Sequence, residues 1–264
     1  MSLPTWDVLR KRCYVPYSGR RDVCVILGAS GTMYPGIRIE NISFPLSMDA
    51  VQVAVLTCIS EGDHPVKLLL PESHGSGFGT RATHTAVSSS KNTSFNDEKA
   101  QTEIWINRYS LKTDTITNET LTHSGSWFQT TEEKIDTEHL IQLTERCVTP
   151  YSGFPVTALL KTDIGIFSGV NIEVSDWQQG LCAERTALAK ACASGAREYQ
   201  EIHVYAPQSD YVSPCGACRQ VLTEHMPGET ITLVHTNEEL SQFTIKDLLP
   251  YQFKAKNLYK RNRT

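Results

Sequence analysis

The sequence predicts a layered α/β fold present twice, and three features predict it. The phrase RCYVPYSG at residues 12–19 returns as RCVTPYSG at residues 146–153, so a shift of 134 residues superimposes the two. A one-residue gap then extends the match: Gly36 meets Gly169, Glu40 meets Glu173 and Gly62 meets Gly195. Each half also has the same succession of signals: a short polar helix, the PYSG turn, two apolar runs around a glycine turn, and an alanine- or valine-rich helix. Alternating helices and strands require crossovers, which lay some strands parallel and stack helices on a sheet. A repeat unit this long marks a duplicated domain, because solenoid units are shorter and more numerous.

Taken in order, MSLPTWDVLRKR reads as a polar helix without the apolar core of a secretory signal, so a reducing, cytoplasmic setting is expected. The stretch at residues 72–100 is crowded with Ser, Thr, Gly and Asn and reads as a long loop or partly disordered insertion. TEIWINRYSLKT then reads as a strand, and TTEEKIDTEHLIQLTERC as the helix opening the second half. The boundary falls near residues 128–136, dividing the chain into residues 1–130 and 131–264. In the second half VTALLK and GIFSGVNIE flank a glycine turn and predict a β-hairpin. CAERTALAKACASG has high helix propensity with a glycine where a left-handed cap is wanted. EIHVYAP predicts a strand, PCGACRQVLTEH a second helix and TITLVHT a third strand.

Composition narrows the function classes. With 40% hydrophobic and 20% charged residues the chain is that of an ordinary globular protein, and no apolar run reaches membrane-spanning length. A formal charge of −4 gives no pull toward the phosphates of nucleic acid, so a small neutral substrate suits the balance better.

Cys182, Cys215 and Cys218 carry the chemistry. Cys215 and Cys218 open one predicted helix and Cys182 another. Helix N-termini offer unpaired N–H groups and positive potential that favour thiolates. Three protein ligands leave zinc one open position, the mark of a catalytic site. Glu184, two residues after Cys182, can serve as a general acid–base beside that position. Arg185 and Arg219 follow the ligands directly and can offset the surplus negative charge by hydrogen bonding to sulfur. Taken alone, a CxxC pair is also compatible with a redox pair, a structural zinc knuckle or two buried thiols. Cys13, Cys24, Cys58, Cys147 and Cys192 lack such partners and read as small core residues, and no histidine spacing suggests a ligand.

PYSGFPV, GVNIE, CAERTALAKA, SPCGACRQVL and LLPYQF, in that order, resemble the cytidine deaminase family in its three-cysteine zinc branch. The resemblance implies two tandem three-layer α/β/α sandwich domains, each with a mixed sheet. It implies one zinc ion per chain, held in the second domain by Cys182, Cys215 and Cys218. Zinc-activated hydroxide would attack C4 of cytosine in cytidine or deoxycytidine while Glu184 shuttles protons, giving uridine or deoxyuridine and ammonia in pyrimidine salvage. By match to GVNIE, Asn171 and Glu173 would bind sugar hydroxyls, with Ala183 also among the substrate-binding residues and Phe154 and Phe253 bracketing base or sugar. In the family the C-terminal phenylalanine reaches a neighbouring unit's site.

Val174, Ser175, Asp176 and Trp177 replace the Asn-Ala-Ser-Tyr-like residues common in relatives, and Thr157 replaces a usual glycine. A deaminase of a modified or antibiotic cytosine nucleoside is therefore the alternative, with a non-enzymatic scaffold of the same fold as a further one. The first half carries Asp49, Val51 and Arg20 where the second has Cys182, Glu184 and Phe154, and Arg38 stands at the place of Asn171. That half is expected to be metal-free and catalytically dead, and the two-domain chain to form a homodimer imitating a tetramer of single-domain relatives.

Overall fold

The computed structural model describes residues 4–72, 94–130, 134–237 and 239–253. The first half runs α1 (Trp6–Arg12), β1 (Val23–Gly28), β2 (Thr32–Ile37), α2 (Ala50–Ser60), β3 (Pro65–Pro71), α3 (Ser94–Tyr109), β4 (Lys112–Ile116), α4 (Asn118–His123) and β5 (Ser126–Trp127). The second runs α5 (Thr137–Gln142), β6 (Thr157–Thr162), β7 (Gly165–Val170), α6 (Ala183–Ser194), β8 (Tyr199–Tyr205), α7 (Gly216–His225), β9 (Thr230–Val234), β10 (Leu240–Thr244) and α8 (Ile245–Leu248).

Two mixed sheets result, in strand orders β4-β3-β1-β2-β5 and β10-β9-β8-β6-β7. Four strands of each coincide in order and sense. The hairpins β1/β2 and β6/β7 are antiparallel, while β3/β4 and β8/β9 are parallel across a helical crossover. Even the isolated bridges repeat: Tyr14–Ile39 and Ile39–Met48 in one half, Val148–Ile172 and Ile172–Leu181 in the other. The PYSG turn is fastened alike in both. Glu40 accepts from the backbone N–H groups of Tyr17 and Ser18, and Glu173 from those of Tyr151 and Ser152.

Glycine brings helix and sheet together at equivalent places. A Cβ on Gly169 would lie 2.1 Å from the Ala183 carbonyl oxygen, and one on Gly36 would lie 2.0 Å from that of Ala50. Thus α6 and α2 each press against their own hairpin. On the opposite face of the second sheet, the Thr157 hydroxyl donates to the Leu140 carbonyl of α5. Helices therefore cover both faces, as expected.

The halves meet along α2 and α6. A helix apolar on every side needs cover on every side, and α2, AVQVAVLTCIS, lies buried between its sheet and α6. Gln52 donates its amide to the Gln179 carbonyl at 2.8 Å, and Arg12 reaches the Ala193 carbonyl at 2.8 Å. The Lys190 ammonium, fully buried in α6, bonds Glu61 of the first half and the Ser168 hydroxyl.

The segment TEIWINRYSLKT departs from its expected strand. Residues through Tyr109 are helical and only those from Lys112 are extended. Trp105 and Tyr109, four apart, stack at 6.3 Å on one helical face with Trp105 fully buried, so tertiary packing overrides their strand propensity. Of the polar stretch at 72–100, residues 73–93 lie outside the described residues, and Ser94 begins α3. Among the described residues no helix is long and apolar enough to cross a membrane.

Candidate metal and catalytic centre

Two helix starts converge to make the site. Cys182 is the N-cap of α6 and Cys215 the N-cap of α7, with Cys218 in the first turn of the latter. The Cys218 N–H points at the Cys215 sulfur, 3.5 Å away, so the helix terminus itself stabilises negative charge there. The sulfur of Cys215 lies 3.7 Å from that of Cys182 and 3.5 Å from that of Cys218. Thiolates about 2.3 Å from one tetrahedral centre stand roughly 3.8 Å apart, so the donor set fits zinc. Among the described residues this is the single cluster of three or more potential ligands. Hydrogen bonding among the sulfurs drives Cys215 down toward the thiolate and pushes Cys182 up.

Glu184 occupies the first turn of α6 and is 2% exposed. Its Oε2 is buried with no hydrogen-bond partner. Burial raises its pKa above the ordinary carboxylate value. A desolvated carboxylate with an unpaired oxygen is costly as pure structure and marks a group awaiting a partner. Beside it, burial works against the charge of Arg185, but Cys218 and Cys182 outweigh that and hold the guanidinium firmly protonated. Arg219 takes another course. Its three nitrogens donate to the Pro214 carbonyl, the Leu248 carbonyl and the Ser213 hydroxyl, bracing the loop before Cys215.

A cavity of about 680 Å³ opens over Cys182, Cys215 and Arg185, walled by Asn171, Glu173, Tyr151 and Trp177. Asn171 and Glu173 also hold the loop that shapes it. The Asn171 side chain accepts from the Val156 N–H and donates to the Phe154 carbonyl. Some desolvation pushes Glu173 upward, but hydrogen bonds from Ser152 and Tyr151 bring its carboxyl below the usual range. Phe154 is 36% exposed beside this loop, and Ala183 is buried at the start of α6. Phe253 lies elsewhere. It lines a second cavity of about 340 Å³ together with Tyr14 and Tyr17 of the first half.

At the corresponding corner of the first half, charge pairs replace the site. Arg20 pairs with Asp22 at 3.0 Å, Arg38 bonds Glu40 at 3.1 Å, and Asp49 caps α2 through the Gln52 N–H. Cys24, Cys58 and Cys192 are buried in the core. Motif reading passed over Glu224, Tyr14 and Tyr17, which join across the halves (Tyr14 and Tyr17 to Glu224) at a sequence separation of more than 200 residues. No local pattern could have signalled that contact.

The model of the cytidine and deoxycytidylate deaminase zinc-binding region matches residues 131–234. A cytidine deaminase of Sporosarcina psychrophila is 40% identical over 130 residues, which span 47% of this chain and 96% of that protein. A cytidine deaminase of Halalkalibacterium halodurans is 41% identical over 120 residues, 45% of this chain and 91% of the other. A crystal structure of cytidine deaminase from Burkholderia pseudomallei is 36% identical, covers 45% of this chain and 100% of its own, and superimposes with a TM-score of 0.41.

Proposed function

The chain belongs to the cytidine deaminase family, and from that premise we propose that its second half hydrolyses cytidine, and deoxycytidine with it, to the uracil nucleoside and ammonia. The observation that carries this reading is the buried, unpartnered Oε2 of Glu184 set beside three converging cysteine sulfurs. Cys182, Cys215 and Cys218 would hold one zinc ion per chain, which would supply a Lewis acid and water that is nucleophilic near neutral pH. Glu184 takes the proton of the attacking water, delivers it to N3 of the base and assists departure of the amino nitrogen as ammonia. Water adds at C4, the C4–N bond breaks, and the carbonyl of the product replaces it.

Arg185 limits the surplus negative charge of the sulfurs, and Arg219 keeps the Cys215 loop in place. Asn171 and Glu173 hold sugar hydroxyls with what their loop bonds leave over: the second amide proton of Asn171 and the lone pair on Glu173 Oε1 not taken by the Ser152 hydroxyl. Ala183 lies beside the base and Phe154 flanks it. Phe253 lines the cavity bordered by Tyr14 and Tyr17 rather than the cavity over the cysteines, so the second aromatic wall comes from another copy, and two chains assemble as a homodimer. The first half serves as a metal-free structural partner, and the enzyme works in cytoplasmic pyrimidine salvage.

A second reading, deamination of a modified cytosine nucleoside, draws on Trp177, 81% exposed on the cavity rim where Val174 and Ser175 also stand. Ammonia release from cytidine, deoxycytidine and base- or sugar-modified cytosine nucleosides, with zinc measured on the same sample, decides between them. Fastest turnover of cytidine or deoxycytidine is expected; a zinc-loaded preparation that turns over only modified nucleosides favours the second reading, and one that turns over none defeats both.

A further inference from the structure

We propose that the first half positions the cysteine helix α7 through a clamp of two tyrosines on Glu224, and so sets how firmly the metal is held. The inference rests on the reading of Cys182, Cys215 and Cys218 as zinc ligands. Glu224 is the next-to-last residue of α7, the helix capped by Cys215 at its other end. Its Oε1 accepts the Tyr14 hydroxyl at 3.0 Å and the Tyr17 hydroxyl at 2.7 Å. Its Oε2 accepts the Ile42 N–H at 2.8 Å. All three donors belong to the first half, the acceptor to the second, and hydrogen bonds to an ionised carboxylate are the strong kind. The adjoining His225 packs against the Tyr14 ring at 4.5 Å between centroids.

A helix of 10 residues is a rod about 15 Å long, so fixing one end against a second body fixes the direction of the other. The companion helix is held in the same manner. Lys190 of α6 bonds Glu61, and Gln52 bonds the Gln179 carbonyl three residues before Cys182. Every metal-ligating cysteine thus stands on an element that the first half grips at a distance from the sulfur. The duplicated phrase has divided its work: Tyr151 faces the catalytic cavity, 65% exposed, while its twin Tyr17 holds the clamp. Tyr14 and Tyr17 act here as positioning residues, because neither touches the sulfurs or the cavity above them.

The test uses the full chain loaded with zinc. Tyr14→Phe, Tyr17→Phe, the double variant and Glu224→Gln are mixed with excess chromophoric chelator, and the rate of zinc transfer is followed at a fixed pH. The double variant is expected to release zinc about tenfold faster than the unaltered chain, the lower edge of what loss of a partner behind a metal ligand costs. Each single variant should fall between. A contact that only adds stability would lower the unfolding midpoint of the zinc-free protein and leave zinc transfer unchanged. Zinc release within twofold of the unaltered chain, from variants that elute and fold as it does, overturns the clamp. Should the double variant fail to fold, Tyr17→Phe and Glu224→Gln, which each keep most of the network, answer the same question. An unaltered chain that holds no zinc defeats the metal reading itself and is recognised before any variant is measured.

Discussion

Burial of Glu184 beside Arg185 and the cysteines joins a group that avoids charge to one that holds it. One carboxylate oxygen, Oε2, is cut off from water without a hydrogen-bond partner, whereas the guanidinium, equally desolvated, is held by sulfur. Replacing Arg185 with Gln keeps much of the volume and removes the cation. Zinc affinity measured by chelator competition should then fall about 10- to 100-fold, the range for second partners of metal ligands. That Cys182, Cys215 and Cys218 would come together with Glu184 nearby was legible in the sequence, because CAE and PCxxC fix both identity and spacing. Arg219 was less legible. Its place after Cys218 suggested sulfur, yet the bonds it makes are to carbonyls and a hydroxyl, since chain adjacency does not decide which way a long side chain turns.

At the scale of elements, α7 carries two of the three clustered cysteines at its start and a shielded histidine at its end. His225 is half-buried with its Nε2 shielded from solvent, and the loss of solvation lowers its pKa from the ordinary 6.5 to about 4. It lies against the rings of Tyr14 and Tyr199, its Nε2 has no hydrogen-bond partner, and the neighbouring Glu224 is committed to its own donors. Between pH 6.5 and 4 the unfolded chain binds this proton and the folded chain does not, so stability falls as pH falls through that window. The full loss approaches about 3 kcal/mol. Denaturant titrations from pH 7.5 to about 4.5 should lose this contribution in the Phe variant of His225, which stays flatter than the unaltered chain. In the second half the elements from α5 to β9 were legible from apolar runs and caps, whereas β10 and α8 were not. Helix α3 was not, because Trp105, Ile106 and Tyr109 favour strands locally and only a core to bury Trp105 turns them into a helical face.

Across the whole molecule, one architecture is used twice, and the two halves differ in the side chains they carry at matching places. Common strand order, matching bridges and the paired Glu40 and Glu173 turn fasteners show one plan used twice. That much could be read from the repeated phrase. The contacts between halves could not, since Tyr14, Glu61 and Lys190 signal nothing until folding brings distant segments together. A chain with one equipped half should hold one zinc ion, and sedimentation should find it as a dimer; two zinc ions per chain or a monomer at working concentration would count against that organisation.

The most direct measurement compares cytidine turnover by the zinc-loaded chain and by its Glu184→Gln variant, with zinc content determined for each. The unaltered chain should convert cytidine to uridine, and the variant should retain its zinc while losing about 10²- to 10⁴-fold in kcat, the usual weight of general acid–base catalysis. Equal turnover by the two, or none by a zinc-loaded unaltered chain, would contradict the assignment of the second half as a deaminase working through Glu184.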